Sequence, residues 1–219
     1  QKLFWILHQL NPASLAYNVA FAISLRGPLN LPVLKEALRL LLSRHPILRT
    51  RFVLQDGTPW QEIAPDALAT VEAKHVASLS DEALLGLLYQ DAWRPFALGS
   101  EVPVRLSLYQ RSDQEAVLLL CLHHILVDGS SVHIILRDLE ELYRKVELRQ
   151  PPQETTLAAT YSDFVHWQHQ LVHSAAGEAQ LSYWKEALNG ELSPLQLPTD
   201  WPRPPVRSEH GSSLSVTID

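Results

Sequence analysis

Hydrophobic positions change period several times along the chain, and the changes mark out its elements. In residues 31–45, LPVLKEALRLLLSRH, the apolar Val33, Ala37, Leu38, Leu41 and Leu42 recur at the spacing of one helical face. Pro32 suits the first turn of that helix and Pro46 stops the pattern. Residues 130–146, SSVHIILRDLEELYRKV, place Val132, Ile135, Leu136, Leu139, Leu142 and Tyr143 on another helical face. A third helix is predicted within 80–96, capped by Ser80 or Asp81 and ending before Pro95, and two more at 161–172 and 175–190, with Gly190 as a C-terminal stop.

Between these segments the period falls to two, or the sequence is continuously apolar. The stretch 19–25 is rich in Val, Phe and Ile and predicts a strand, after an amphipathic start that breaks at Asn11-Pro12. Residues 47–54 predict a strand that turns at QDGT, 55–58, and returns through PWQEI, and 71–77 predict another short one. Residues 102–111 alternate and pair with 115–124, EAVLLLCLHH. The latter is apolar at consecutive positions, as a central strand covered on both faces would be. Residues 149–160 form a polar connection, 193–205 carry five prolines and read as an extended connector, and 212–218, SSLSVTI, regain strand composition.

Composition narrows the classes. The 219 residues fit one large domain or two small ones; with 46% hydrophobic and 19% charged residues they describe a globular protein. A net charge of -6 without a basic block lacks the footprint of a nucleic-acid binder. The longest strongly apolar run, 116–122, is far too short to span a membrane, and the N-terminus lacks the basic flank of a signal peptide. Cys121 is the sole cysteine, so no internal disulfide can form and a cytoplasmic setting is expected. The chain contains no methionine, which leads us to expect an excised or processed piece.

The candidate chemistry lies at the end of the apolar run, in CLHHILVDG, 121–129. Neighbouring strand residues point to opposite faces, so His123 and His124 cannot share one metal ion along a strand. One imidazole could instead project from the strand end into a cavity as a proton acceptor, with Asp128 holding the loop or the ring and Gly129 allowing a tight turn into the next helix. The other reading is a core histidine beside a helix-capping aspartate. Arg44, His45, Arg49 and Arg51 cluster at an apolar helix end, where a buried guanidinium needs an anion, and Asp128 is a candidate. In YSDFVHWQ, Tyr161, Phe164, Trp167 and Gln168 sit at helical spacing, as a core face or a substrate surface would.

Taken together, these stretches resemble the condensation domains of nonribosomal peptide synthetases. The family's HHxxxDG motif matches His123, His124, Asp128 and Gly129, and its RHxxLRTxF motif matches Arg44, His45, Leu48, Arg49, Thr50 and Phe52. The opening LFWILHQLNPASLAYN, the helices YSDFVHWQ and YWKEAL, and LPTDWPRP are similar to further family segments, in family order. Pro46 stands where the family usually has Glu, and Ser130 where it has an aromatic residue.

The resemblance implies an α/β (α+β) sandwich, a chloramphenicol-acetyltransferase-like lobe with a mixed sheet covered by helices. It implies an N-terminal lobe over 1–175 and a crossover segment over 176–219 leading toward an absent C-terminal lobe. The implied reaction is amide formation between a donor acyl or peptidyl thioester and the α-amine of an acceptor aminoacyl thioester. Both ride on phosphopantetheine arms of upstream and downstream peptidyl carrier proteins, with no cofactor or metal bound directly. His124 would face the tunnel, His123 would pack behind it, and Asp128 would pair with Arg49 in preference to Arg44. An epimerization domain, a stand-alone acyltransferase of the same fold and a non-catalytic carrier-docking module are the alternatives. The chain alone is expected to be inactive and to self-associate.

Overall fold

A computed structural model describes residues 1–64, 71–150, 157–202, 205, 214, 216 and 217. The chain divides into two compact units, residues 1–165 and 166–219. The first unit contains helix α1 (Lys2–Leu10), strand β1 (Asn18–Arg26), α2 (Leu31–Arg44), β2 (Thr50–Gln55), β3 (Thr58–Ile63), β4 (Val71–His75), α3 (Asp81–Ala92), β5 (Val104–Ser112), β6 (Glu115–His123) and α4 (Gly129–Glu147). Four strands form one mixed sheet in the order β1-β6-β5-β4. Strand β6 runs antiparallel to both neighbours and β4 parallel to β5. The expected sandwich with a mixed sheet covered by helices is therefore the architecture found.

The continuous apolar run of 116–122 is explained by the place of β6. It has a ladder partner on each side and helices above and below, and its side chains from Leu118 to His123 are all buried. Leu118, Leu120 and Leu122 meet Leu38, Leu41, Leu42, Ile135 and Leu139 of α2 and α4. On β5, Val104 and Leu106 share that face. Tyr109, of the other parity, gives its hydroxyl to Asp91 of α3 and so marks the opposite face. Each leucine buried here is worth about 1.5–3 kcal/mol against exposure, and this layer is the main source of the unit's stability.

Two local details depart from a reading by periodicity. The predicted strand 47–54 begins instead as a 3₁₀ turn, Pro46–Arg49, because Pro46 holds a helical φ; extended structure starts at Thr50. The β2–β3 hairpin forms as expected, but as a separate two-stranded sheet. Its turn residues Asp56 and Gly57 have φ of 49° and 74°, which a two-residue hairpin turn of this hand requires.

Helix α5 (Tyr161–Val172) opens within the first unit, and α6 (Ala175–Ala187) lies in the second. The corner between them is tight: Ser174 Oγ accepts from Gly177 N at 3.2 Å, and a Cβ on Gly177 would lie 2.3 Å from the Leu171 carbonyl oxygen. Only glycine fits there. Gly190, beyond α6, has φ 103°, in keeping with a helix stop. Most of the expected strand at 212–218, and residues 151–156 of the expected polar connection, lie outside the described residues. Among the described residues no helix is long and apolar enough to cross a membrane.

His123 belongs to this core. It is 3% exposed, and burial, with the nearby His8 and His124, pulls its pKa down to about 4 from 6.5. The folded state thus holds the neutral ring while an unfolded chain takes up a proton below pH 6.5. Stability from this group is complete above about pH 6.5, falls as pH drops toward 4, and is constant below that, a loss on the order of 3 kcal/mol. Urea unfolding between pH 4 and 8 should show that decline. His123→Asn, which keeps an acceptor near Nδ1 but takes up no proton, should flatten it over the same window.

Candidate active site

The end of β6 separates the two histidines. His123 N donates to the Pro103 carbonyl at 3.1 Å and His124 N to the Tyr17 carbonyl at 2.8 Å, so the backbone stays in the sheet through both residues. Alternation then sends the rings to different environments. The His123 ring is enclosed by His8, Tyr17 and Phe96, and its Nδ1 accepts from Ile125 N at 3.0 Å, which leaves the proton of the neutral ring on Nε2. It is a satisfied core histidine.

His124 is only partly buried and lines an open cleft of about 700 Å³. Helix α1 supplies one wall: the Phe4 ring stacks on the imidazole with centroids 5.2 Å apart and planes 19° apart. The other walls come from the 3₁₀ turn, including Ile47 and Leu48, from α4 with Ile134 and Ile135, and from the start of α5 with Tyr161 and Phe164. His124 Nδ1 is buried without a hydrogen-bond partner. Nε2 is therefore the nitrogen available to a molecule in the cleft. The walls combine apolar side chains with polar ones, among them His45, Asp128, Ser131, Arg137 and Thr160.

Asp128 takes the helix-capping role, the second of its two expected readings, and not the ion pair. Its Oδ1 accepts from Ser131 N at 2.9 Å and Ser131 Oγ at 2.6 Å, while its own N–H donates to Ser131 Oγ at 3.2 Å. This reciprocal cap starts α4, and the Ser131 hydrogen bonds hold the exposed carboxyl below its usual pKa. The predicted ion pair with Arg49 or Arg44 is not made. Arg49 Nε donates to the Leu42 carbonyl at 2.9 Å and ties off the end of α2, and Arg44 lies 3.5 Å from Asp138 and 3.4 Å from Glu141. The physical reason is depth: Arg44 is largely buried against α4, whereas the helix cap leaves Asp128 at the surface. Gly129 is the first residue of α4, in open space and without a positive φ, so the turn depends on the Asp128 cap and not on glycine freedom.

The acid that meets the arginine is thus Asp138, 4% exposed on α4. Its Oδ2 lies 2.8 Å from His45 Nε2, and Oδ1 accepts from Arg137 at 3.0 Å. Burial opposes its charge, but the hydrogen bonds from His45 and Arg137 and the charges of His45 and Arg44 outweigh burial and keep the carboxyl below the usual range. Sequence reasoning missed this group. The available signal was an acid three residues from Ile135, within the apolar stripe of α4. Phe4 was missed because stacking on His124 joins residues far apart in the chain. Cys121 is buried, with its thiol pushed up to about 11, and among the described residues no His, Cys, Asp and Glu group is arranged to hold a metal ion.

Comparison with known proteins identifies the family of the chain. The chain is 37% identical over 222 residues to a linear gramicidin synthase of Brevibacillus parabrevis, covering all of this chain and 3% of that protein. It is 35% identical over 223 residues to chondramide synthase cmdD of Chondromyces crocatus, again over all of this chain and 6% of that protein. Among solved structures, the X-domain from teicoplanin biosynthesis in complex with OxyB superposes with a TM-score of 0.80 at 28% identity, over 92% of this chain and 45% of that one. The starter condensation domain of rhizomide synthetase RzmA shares the fold, with a TM-score of 0.81 at 21% identity over 88% of this chain and 47% of that one. The chain therefore spans under half of these solved chains and a few per cent of the synthetases. The Condensation domain family model matches residues 1–219 without interruption, and the chain belongs to that family.

Proposed function

We propose that this chain carries the histidine-bearing part of a site that forms amide bonds. The α-amine of an acceptor aminoacyl thioester attacks the carbonyl of a donor acyl or peptidyl thioester. A C–N bond forms, the C–S bond breaks, and the proton lost by the amine leaves with the thiol. The substrates arrive on phosphopantetheine arms of upstream and downstream peptidyl carrier proteins, which serve where another enzyme would bind a cofactor. On this reading residues 1–175 are the N-terminal lobe and 176–219 lead toward a C-terminal lobe that closes the site. The setting proposed is the reducing cytoplasm, where the buried Cys121 stays a thiol.

The observation that carries the reading is the position of His124. It is the one of the two neighbouring imidazoles that reaches a substrate-sized cleft, and it keeps Nε2 open there. His123 belongs to the support of that placement, and Arg44 and Arg49 secure the end of α2. Magnitudes limit what His124 contributes. A free α-amine has a pKa of about 8, so obtaining its neutral form at pH 7 costs only about 1.4 kcal/mol. Alignment of amine and thioester contributes about 7–11 kcal/mol, and proton transfer from the tetrahedral adduct about 10² to 10⁴ in rate. His124 therefore orients the amine and takes its proton as the adduct forms.

Two outcomes test this in the full-length protein with donor- and acceptor-loaded carriers. His124→Ala should reduce amide formation by about 10² to 10⁴ while leaving the unfolding transition in place. Unchanged peptide output would favour the carrier-docking alternative, and racemised aminoacyl carrier without a new amide would favour epimerization. Asp128→Ala should cost about 1 kcal/mol of stability through the lost cap, and Asp128→Asn much less, because Asn caps nearly as well. A loss of several kcal/mol in Asp128→Asn, read from urea unfolding, would restore the ion-pair account.

A further inference from the structure

A second imidazole lines the same cleft, and the reaction as described leaves it without a role. His45 follows the last residue of α2, with Pro46 and Ile47 of the cleft wall immediately after it. Its Nε2 lies 2.8 Å from Asp138 Oδ2. An ionised carboxylate only accepts hydrogen bonds, so Nε2 carries the proton that points to it. Asp138 is kept ionised by its setting, since Arg44 and Arg137 lie beside it and it is closed off from water. In the neutral form of the His45 ring, Nδ1 then carries no proton. That atom makes no hydrogen bond to a described residue, and the His45 side chain lines the cleft.

The two imidazoles of the cleft thus differ in a way that bears on chemistry. His124 has no protein partner on Nδ1, and its tautomer is left to the substrate. His45 has a carboxylate behind one nitrogen, the arrangement that fixes a histidine tautomer and makes the opposite nitrogen a directed acceptor. An acceptor on the cleft wall calls for a donor, and a substrate that displaces water from it without replacing the hydrogen bond loses about 1–3 kcal/mol. The thioester-borne chains carry suitable N–H donors.

We propose that His45 is a substrate-binding residue whose Nδ1 accepts a hydrogen bond from an N–H group of the carrier-borne substrate, with Asp138 as the positioning residue that sets its tautomer. The proposal rests on the reading of the cleft as an amide-forming site. Two sources share the chemistry: the α-amine of the acceptor and an amide of the pantetheine arm.

The test uses the full-length protein and the variant His45→Gln. The glutamine amide reaches Asp138 as a donor and so preserves the tie between α2 and α4, but it offers no acceptor at the Nδ1 position. With carrier-borne acceptor, kcat/KM should fall roughly tenfold, mostly through KM, with the melting temperature near that of the wild type. A parallel arm supplies the acceptor as its ethyl thioester, which has no amide. A defect that persists there assigns the N–H to the α-amine; a defect confined to the carrier-borne acceptor assigns it to the arm. Wild-type KM in both arms overturns the proposal. If His45→Gln does not fold, a crystal structure of the wild-type protein with a stable amide mimic on the arm decides: an N–H within hydrogen-bond distance of His45 Nδ1 supports it, and water alone at that nitrogen overturns it. Failure of the wild type to form amides would remove the proposed function and this inference with it, whereas amide formation unaffected in His45→Gln removes this inference alone.

Discussion

Strand β6 is hydrogen-bonded on both edges up to the residue at which its side chains begin to matter chemically. Asn18 of β1 stands opposite His123, and Val104 of β5 opposite Leu122. The backbone bonds of His123 to Pro103 and His124 to Tyr17 carry the ladder one residue past the assigned strand. With the main chain held in this way, neighbouring residues cannot exchange faces, because a slip of one position would turn every side chain of the strand over. That would place Leu118, Leu120 and Leu122 against the wrong layer, so the leucine packing keeps His124 at the cleft. A polar side chain is positioned here by apolar ones.

The same constraint makes His123 expensive. Its ring is held in a site that disfavours its charged form, and a single hydrogen bond from Ile125 N satisfies Nδ1. That bond closes the turn directly after β6 and so fixes how the chain leaves the sheet toward α4. An apolar residue in its place would pack but would leave the Ile125 N–H without this acceptor. Asn18, opposite in register and on the same face of the sheet, acts similarly: its Nδ2 donates to the carbonyls of Ala92 and Arg94 and anchors the chain leaving α3. The strand end is thus held by a few buried polar groups with specific partners, which apolar packing alone would not orient.

Much of this was legible in the chain. Helical periods in 31–45 and 130–146, the turn at Asp56-Gly57 and the doubly covered strand at 115–124 follow from local patterns that the tertiary structure reinforces. What was not legible depends on contacts between distant segments. The pairing of β1 with β6 joins residues about a hundred positions apart, and nothing in 18–26 alone selects that neighbour. The choice of Asp128 as the arginine's partner weighted nearness to the histidines over burial. An aspartate two residues before a serine-rich helix start is a cap by its local sequence, and Asp138, within an apolar stripe, is the acid that requires buried cations. Three cationic or cation-capable groups, from Arg44, His45 and Arg137, answer that requirement. Removing one side of such a buried pair costs about 3–5 kcal/mol, so this cluster, and not Asp128, holds α2 against α4 beneath the cleft wall.

The contrast between the cleft's two imidazoles then has a consequence for how the reaction divides. An imidazole with an unpaired Nδ1 has no protein group that prefers one neutral tautomer, and the cost of exchanging them falls on the substrate alone. On the proposed function, His124 Nε2 accepts the proton of the attacking amine while the ring becomes an imidazolium, and the same nitrogen can then return that proton to the departing thiolate as the adduct collapses. A carboxylate on Nδ1 would strengthen Nε2 as a base and favour the imidazolium. His124 lacks that partner, so strand and phenyl ring alone hold its plane and a nitrogen in the wall stays unsatisfied. Its contribution then rests on placement more than on basicity, in line with the small cost of obtaining a neutral amine.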